Sequence, residues 1–376
     1  MGLFEHFPYT NYHDLNLDKI LERTKEAEVA VEAAKNAALE AAKLAKASGL
    51  PYYIESTHND TDRTSEINDI LTEYGACILG DGKFVVSNII MPAYSSLTGS
   101  GIGRTWLEPA IDASGDMIKM SSVCEVKDLR LQGGLTTAPQ TLGDLNGISW
   151  AGTYESALDP GTHPVIGQIA NVLISGFPGY GIICEKTSID ANSGLNADAI
   201  TIRGCYCAIY VGKYSEYNKF TMIDATNNYY GCVNNGGNNI FVNCNFSLNK
   251  QALLMDDTGN ISPNNSHGAF IGCAFNHPDD NTGKAIEIIG IDYAEIFSAC
   301  QIHFGSINLD SCKGVRFNSC ILGYDVPITV KDSKLTTFDN CTLFDGSSTV
   351  LTQSGNTALA FNECYDLDGV QYAPVI

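Results

Sequence analysis

Aromatic and acidic side chains cluster in one irregular stretch of the sequence, residues 132–167. It contains Trp150, Tyr154, Glu155 and Asp159. Trp and Tyr rings stack on the faces of sugar rings, and carboxylates accept hydrogen bonds from sugar hydroxyls. The combination indicates a saccharide site in which Trp150 and Tyr154 contact the glycan. A second interpretation remains open for Trp150, since a large ring here can equally fill the side wall of the fold.

Cleavage of a glycosidic bond requires two carboxyl groups, about 5 Å apart in a retaining enzyme and about 6.5 to 9.5 Å apart in an inverting one. The candidates lie in the irregular stretch and in later insertions, and they are Glu155, Asp159, Asp198 and Asp256. Three further acidic residues of the insertions are candidate glycan contacts: Asp257, Asp279 and Asp280. Most loop aspartates form turns or stay solvated, so the sequence permits a catalytic pair without identifying one.

No motif in the sequence indicates a metal site or an organic cofactor. The segment Asp256–Asn260 has oxygen ligands near glycine but lacks the spacing of a calcium loop. His267, His277 and His303 lack the spacing of metal ligands, and neither a nucleophile elbow nor a phosphate-binding loop occurs. We therefore predict a function without metal or cofactor, and leave cleavage open.

The charge balance excludes several classes of protein. The 376 residues include 43 acidic and 22 basic ones, a net charge of −21, which repels phosphate backbones and anionic membranes. No apolar run approaches the roughly 18 residues of a membrane span, and the first residues do not resemble a signal peptide. We predict neither nucleic-acid binding nor membrane insertion. The 13 cysteines are expected to be reduced, buried thiols.

The first fifty residues have the pattern of one long helix. From Ile20 to Ala45, small and apolar residues recur in alternating steps of four and three, which is a heptad seam. The pattern predicts a helix from about Asn16 to Ser48, ended by a Gly-Leu-Pro stop signal. Because an alanine stripe buries little area, we expect the helix to pack against copies of itself or a larger assembly. A solitary solvated helix is the alternative.

A repeat of about 21 residues extends from Asn171 to Asp366. One apolar strand type ends near Gly or Cys, and a second begins with a small residue followed by aliphatic ones. The cysteines mark successive repeats: Cys244, Cys273, Cys300, Cys320, Cys341 and Cys364. Short strands at a fixed period are typical of a parallel β-solenoid, whose turns stack about 4.8 Å apart. The cysteines then form a column of buried groups, with metal ligands or nucleophiles as the alternative.

Two segments resemble parts of known proteins. The segment Asn59–Arg104 contains Asn-Asp-x-Thr-Asp, a short amphipathic helix, Tyr-Gly, Gly-Asp-Gly-Lys-Phe-x-Val and Ser-x-Leu-x-Gly-x-Gly. It resembles the entry cap of right-handed β-helix tailspikes, a group related to pectate lyases. The leader His6–Glu22, HFPYTNYHDLNLDKILE, is similar to virion-attachment leaders of bacteriophage tail and appendage proteins.

The resemblance implies an all-β fold, a right-handed single-stranded parallel β-helix preceded by a long N-terminal α-helix in a trimeric coiled coil. Residues 1–50 would be the leader and oligomerising helix, residues 51–110 the entry cap and residues 111–376 the β-helix body. The implied partners are two further copies of the chain, phage tail or portal/collar proteins, and host surface polysaccharide. The leader would bind the virion through Phe7, Tyr9, Tyr12 and Leu17, although a tail folding back on its own domain is the alternative.

The expected function is that of a tailspike or appendage that attaches the virion to host-surface glycan. Such a protein would assemble in the host cytoplasm, which agrees with reduced cysteines. Cleavage of the glycan, by hydrolysis or elimination, is compatible with the sequence. The alternative is a structural fibre or adaptor without receptor binding. Because few residues follow the last repeat, we expect any recognition site on the flank of the β-helix.

Overall fold

The strands of the 21-residue repeat stack into a parallel β-solenoid of about 11 turns, which confirms the predicted fold class. The computed structural model describes residue 25 and residues 51–56, 60–151, 167–185, 192–258, 267–277, 283–323, 326–343 and 351–372. The chain divides into the units Met1–Tyr52 and Tyr53–Ile376, and the repeat lies in the second. The predicted N-terminal coiled coil and leader lie outside the described residues, and the three domain boundaries stay predictions.

Three sheets of parallel strands form the walls of the solenoid in the described part of the chain. Sheet A has 15 strands: Tyr52–Ile54, Ala76–Leu79, Gly82–Val86, Ser96–Thr98, Thr105–Pro109, Glu125–Gln132, Gly167–Ser175, Leu195–Arg203, Lys219–Thr226, Asn239–Val242, Gly268–Ile271, Glu295–Ser298, Arg316–Asn318, Thr337–Asp339 and Ala360–Asn362. Sheet B has 11 strands: Ile89–Met91, Gly115–Met120, Leu145–Trp150, Tyr180–Cys184, Cys207–Val211, Tyr230–Asn234, Gln251–Asp256, Lys284–Ile289, Ser306–Asp310, Ile328–Lys331 and Leu351–Ser354.

Sheet C is shorter and has five strands: Ala274–Asn276, Gln301–His303, Ile321–Leu322, Thr342–Leu343 and Tyr365–Asp366. A separate pair joins Asn192–Ser193 to Ser215–Glu216. One rung of the solenoid consists of a sheet A strand, a turn, a sheet B strand and a return loop, and in the later rungs a sheet C strand follows the sheet A strand. The two strand types that alternate in the sequence therefore correspond to sheets A and B.

The described helix, Thr64–Tyr74, agrees with the amphipathic segment expected in the entry cap. Its apolar residues Ile67, Ile70 and Leu71 are buried, and it packs against the strands Ala76–Leu79 and Ile89–Met91. The helix ends at Gly75, whose φ of 72° is the left-handed conformation that glycine adopts without strain. No helix within the described ranges is both long enough and apolar enough to cross a membrane.

Two columns of identical residues fill the core. Seven phenylalanine rings stack in successive rungs with neighbouring centroids 4.5 to 5.2 Å apart: Phe220, Phe241, Phe270, Phe297, Phe317, Phe338 and Phe361. The column cysteines lie beside them, and each thiol donates to a phenylalanine carbonyl of the preceding rung, as Cys300 does to Phe270 at 3.2 Å. All 13 cysteines of the sequence are buried and free.

Cys273, Cys300 and Cys320 of this column are protonated at neutral pH. Hydrogen bonds from the preceding thiol, together with burial, raise the pKa of Cys273, Cys300 and Cys320 to about 12. A buried thiol with a raised pKa is neither a nucleophile nor a metal ligand. In the described residues, moreover, no group of three His, Cys, Asp or Glu side chains is arranged to hold a metal ion. The column is therefore core packing.

A left-handed residue recurs at the same position in ten sheet A rungs. The φ values lie between 50° and 64° at Asp128, Asn171, Ala199, Met222, Asn243, Gly272, Ala299, Ser319, Asn340 and Glu363. Each follows a residue in register with its neighbours, such as Ala170, Asp198 and Thr221. The bend at this position gives each of these rungs the same backbone path, whichever residue type occupies the position.

Another column in sheet A has a different type of residue on successive rungs: asparagine, glycine and glutamate. Asn218 donates to the side chain of Asn239 at 2.9 Å, and Asn239 donates to that of Asn234 at 3.0 Å. The next rungs place Gly268 and then Glu295 in register with Asn239. Glu295 is 0% exposed, and no side chain of the described residues donates a hydrogen bond to its carboxyl oxygens. Burial therefore raises its pKa well above the usual range.

Candidate functional site

A groove follows the turns that lead from sheet A to sheet B. It has a volume of about 740 Å³ and is lined by the ends of three sheet A strands, by the turns after them, and by residues 135–138. Those strands are Glu125–Gln132, Gly167–Ser175 and Leu195–Arg203, which lie on successive rungs. Five of the lining residues belong to the irregular stretch in which the sequence predicted a saccharide site, although they are not the residues predicted there.

Two arginines face the groove from different rungs. Arg130 and Arg203 occupy outward positions, because Leu131 and Ile202 beside them point into the core and are 0% exposed. Register places Gln132, Ser175 and Arg203 side by side on three rungs. The Arg130 guanidinium also lies over the ring of Trp106, 5.8 Å from its centroid, a distance typical of a cation–π contact.

The floor of the groove is a repeated tight turn. Gly176, Gly204, Asn227 and Leu248 take the same place in four rungs, with φ between 58° and 71°. A side chain at Gly176 would collide with the Leu135 carbonyl oxygen, which lies 2.3 Å from an ideal Cβ position. Glycine is required there because the segment at 135–138 approaches the backbone so closely.

Buried asparagines fix these turns. The Asn228 side chain accepts from the Cys205 amide at 2.9 Å and donates to Ile202 and Thr226 carbonyls, both at 3.1 Å. Asn249 accepts from the Asn228 amide at 2.7 Å, which repeats the arrangement one rung on. Since buried amides with all these partners are rigid, the groove has a preformed floor.

A cluster of five tyrosines, here called the tyrosine cluster, lies just beyond the same turns: Tyr180, Tyr206, Tyr210, Tyr229 and Tyr230. The rings of Tyr206 and Tyr229 stack at 5.4 Å with an interplanar angle of 6°. Tyr230 contacts both of them edge-on at 5.5 and 4.8 Å, and Tyr180 contacts Tyr210 at 4.7 Å. All five are half-buried. Burial raises the pKa of Tyr230 to about 12, so its hydroxyl is a neutral donor and acceptor.

The predicted site residues that the structure describes do not come together. Asp198 is half-buried in the sheet A strand Leu195–Arg203, whereas Asp256 is exposed at the end of a sheet B strand two rungs on. Asp256 accepts a hydrogen bond from the Thr258 amide at 3.0 Å, the turn-forming role considered as the alternative. The structure therefore does not pair Asp198 with Asp256.

Two predicted glycan contacts are buried. Trp150 is 1% exposed, and its indole ring packs so closely on Gly167 that a Cβ there would lie 2.3 Å from a ring atom. This burial favours the core interpretation of Trp150, because the ring offers no accessible face to a glycan. Asp257 is 2% exposed and likewise presents almost no surface to a ligand.

The other predicted site residues lie outside the described ranges. These are Tyr154, Glu155, Asp159, Asp279, Asp280 and the leader residues Phe7, Tyr9, Tyr12 and Leu17. Their roles stay predictions. Among the described residues that line the groove, none is acidic, so this part of the surface can bind a ligand but supplies no carboxyl pair for cleavage.

Sequence reasoning missed both the arginines and the tyrosine cluster. A signal for the tyrosines was present, since Gly204-Cys205-Tyr206 and Asn227-Asn228-Tyr229 place an aromatic residue at the same offset from a turn in successive repeats. The arginines carry no such signal. They are 73 positions apart and belong to repeats of unequal length, so only the observed strand register brings them into one groove.

Comparison with known proteins gives structural similarity alone. No family profile and no curated protein matches the sequence. Tailspike protein 2 of bacteriophage CBA120 is 15% identical over 84% of this chain and 47% of its own enzymatically active domain, with a TM-score of 0.44. The chain thus spans about half the length of that tailspike.

Two further structures are similar at the same level. Tailspike gp49 of the Acinetobacter baumannii bacteriophage Fri1, a capsular polysaccharide depolymerase, is 14% identical over 87% of this chain and 63% of its own, with a TM-score of 0.48. A GH87 α-1,3-glucanase from Streptomyces thermodiastaticus is 16% identical over 80% of this chain and 66% of its own, with a TM-score of 0.47. Similarity this low carries no information about substrate or activity.

Proposed function

We propose that the protein is a bacteriophage tailspike or tail appendage that attaches the virion to host-surface glycan through the groove and the tyrosine cluster. The observation that carries the proposal is the juxtaposition of a preformed polar groove with stacked, half-buried tyrosines along one set of turns. Aromatic faces bind sugar rings, while amides, hydroxyls and guanidinium groups bind their hydroxyl and acidic substituents. Small-ligand sites commonly combine these features in a concave surface.

Virion context is supported by the resemblance of the leader to virion-attachment segments. In this proposal the N-terminal residues bind phage tail or portal/collar proteins, and the solenoid faces the host. The 13 buried free thiols are consistent with assembly in the reducing cytoplasm of the host. Binding without cleavage is the activity that the described lining favours. Should cleavage occur, the candidate carboxylates are Glu155, Asp159, Asp198 and Asp256.

Retention on polysaccharide tests this proposal. Purified full-length protein would be passed over immobilised capsular and wall polysaccharides from a panel of bacteria, and release of reducing or unsaturated ends would be followed in parallel. We expect retention on at least one polymer. Tyr229→Ala should weaken retention about tenfold, because a stacked aromatic contact contributes about 0.5 to 1.5 kcal/mol beyond its buried area.

The matched control is Tyr94→Ala, which removes a 68% exposed ring elsewhere on the protein and should leave retention unchanged. Release of new ends would add a depolymerase activity to the binding function. Failure of the protein to bind any polymer of the panel would contradict the proposal and favour the structural fibre or adaptor.

We also propose that three chains associate through sheet A. An apolar stripe on its outer face supports this, since Ile240, Ile271 and Ile296 are 41%, 41% and 39% exposed on neighbouring rungs. Ile240 and Ile296 are in register through Ala269, and Ile271 lies two residues further along the middle strand. A patch of exposed apolar side chains is typical of an interface. Ile271→Glu should shift the full-length protein from trimer to monomer in sedimentation equilibrium, because the new charge would be buried unpaired.

Ile90→Glu is the control for the trimer proposal. Ile90 is 53% exposed in a sheet B strand and outside the stripe, so this variant should sediment as the unmodified protein does. A monomeric unmodified protein, or an Ile271→Glu variant that remains trimeric at every concentration, would argue against the stripe as the interface.

A further inference from the structure

The arginines of the groove, unlike Arg63 and Arg104, have no acidic partner in the described part of the chain. Five arginines are described, and two of them form ion pairs, Arg63 with Glu66 and Arg104 with Asp81. Neither Arg130 nor Arg203 contacts a carboxylate of the described residues. In a protein with 43 acidic and 22 basic residues, two guanidinium groups in one groove, neither paired with a described carboxylate, are an unusual concentration of positive charge.

Arg130 is also incompletely hydrogen-bonded. Its Nε atom is buried and has no hydrogen-bond partner among the described residues, while the ring of Trp106 lies along the guanidinium. A buried N–H without an acceptor is unfavourable. An oxyanion that enters the groove would accept from the arginine guanidinium groups that line it, and the planar guanidinium matches carboxylate or phosphate oxygens in a bidentate arrangement.

The remaining lining suits the neutral parts of a sugar chain. Gln132, Ser175 and Asn227 supply amide and hydroxyl groups, which donate to and accept from sugar hydroxyls. Leu135 and Leu248, 43% and 48% exposed, border the groove with apolar surface for the C–H faces of sugar rings. No acidic side chain among the described lining residues opposes an anionic ligand.

We propose that the groove selects an acidic glycan, whose carboxylate or phosphate groups bind Arg130 and Arg203. This inference rests on the proposed function and names the class of glycan that the same site accepts. The two arginines belong to rungs two steps apart, about 10 Å along the solenoid. They therefore bind two acidic groups of one polymer, and a glycan with regularly spaced acidic sugars satisfies both.

The test compares polymers of defined charge. Immobilised neutral, uronic-acid-containing and phosphate-containing bacterial polysaccharides would be probed with the full-length protein, together with a uronic-acid polymer whose carboxyl groups have been reduced to alcohols. We expect retention on acidic polymers only. Loss of retention after carboxyl reduction identifies carboxylate as the bound group, and retention restricted to the phosphate-containing polymers identifies phosphate. Retention should also fall as salt concentration rises.

Substitutions of the groove arginines test whether the acidic polymer binds in the groove. Arg130→Gln and Arg203→Gln should each weaken retention on the acidic polymer at least tenfold. Arg203 is exposed, so its replacement leaves folding intact and keeps the test valid if Arg130→Gln proves unstable. The control is Arg316→Gln, which removes an exposed, unpaired arginine of the same sheet outside the groove and should not change retention.

The results of these experiments distinguish a failure of the acidic-glycan inference from a failure of the proposed glycan attachment. Retention on neutral polymers alone, or retention on acidic polymers that Arg203→Gln leaves unchanged, overturns the acidic-glycan inference while glycan attachment stands. Failure to bind any polymer overturns both.

Discussion

Replacing Phe270 by alanine should lower the free energy of unfolding by about 3 to 5 kcal/mol, the usual loss for a phenylalanine deleted from a core. Its ring is 0% exposed, stacks on Phe241 at 4.5 Å and on Phe297 at 5.2 Å, and meets Phe275 edge-on at 5.5 Å. A rigid ladder of strands restricts the collapse of these neighbours, so a cavity would remain. The deletion also divides the stack of rings into two shorter ones.

Urea unfolding of the two proteins, followed by circular dichroism, measures the loss. The matched control is Phe304→Ala, because Phe304 is 42% exposed and its removal opens no cavity. We expect the control to lose a small fraction of the effect at Phe270. Equal losses for the two variants would show that ring stacking in the core contributes little.

Replacing Glu295 by glutamine should make the protein less sensitive to alkaline pH. The pKa of Glu295 is raised by burial in the folded state, whereas in the unfolded chain it is near the ordinary value of about 4.3. Between these two pKa values the folded state binds more protons than the unfolded state, so stability falls as pH rises. This loss is absent below the unfolded pKa and reaches at most about 1.4 kcal/mol for each pH unit.

The measurement is the free energy of unfolding at a series of pH values from 4 to 9, for the unmodified protein and for Glu295→Gln. Because glutamine does not ionise, the advantage of the variant should grow with pH above about 4.3 and level off once the folded pKa is passed. Glu363→Gln, which removes an exposed carboxylate, serves as control and should track the unmodified protein. Parallel curves for Glu295→Gln and the unmodified protein would mean that Glu295 is not buried.

The repeat made much of this fold predictable. Phe317 and Phe338, like Cys320 and Cys341, occur 21 residues apart, and identical residues at one period have to stack in a parallel solenoid. Which side chains of a strand face the core was harder to predict. From hydrophobicity alone, Ile296 would be expected in the core, yet Ile296 is 39% exposed and its neighbour Glu295 is buried. The reason is that side chains alternate along a strand, which places Phe297 and Glu295 on the same side.

The candidate site was less accessible to sequence reasoning than the core. Residue type and position suggested Trp150 and the loop aspartates as site residues. In the structure, however, the Trp150 ring is buried and Asp256 accepts a hydrogen bond within a turn. The groove depends instead on the register of Gln132, Ser175 and Arg203, which repeats of unequal length conceal. Arginines in the sequence indicate an anion-binding site only when the strand register is known, because the register shows which arginines have no carboxylate beside them.

The recurrent left-handed bend of sheet A makes the rungs interchangeable. Ser319 and Asn340 occupy equivalent places, with φ of 55° and 52°, so excision of residues 319–339 would join two segments of matching backbone shape. Phe317 would then stack on Phe361, and the columns would continue unbroken. A solenoid built this way can be shortened or extended by whole rungs during evolution, while the groove, formed by rungs nearer the helix Thr64–Tyr74, keeps its geometry.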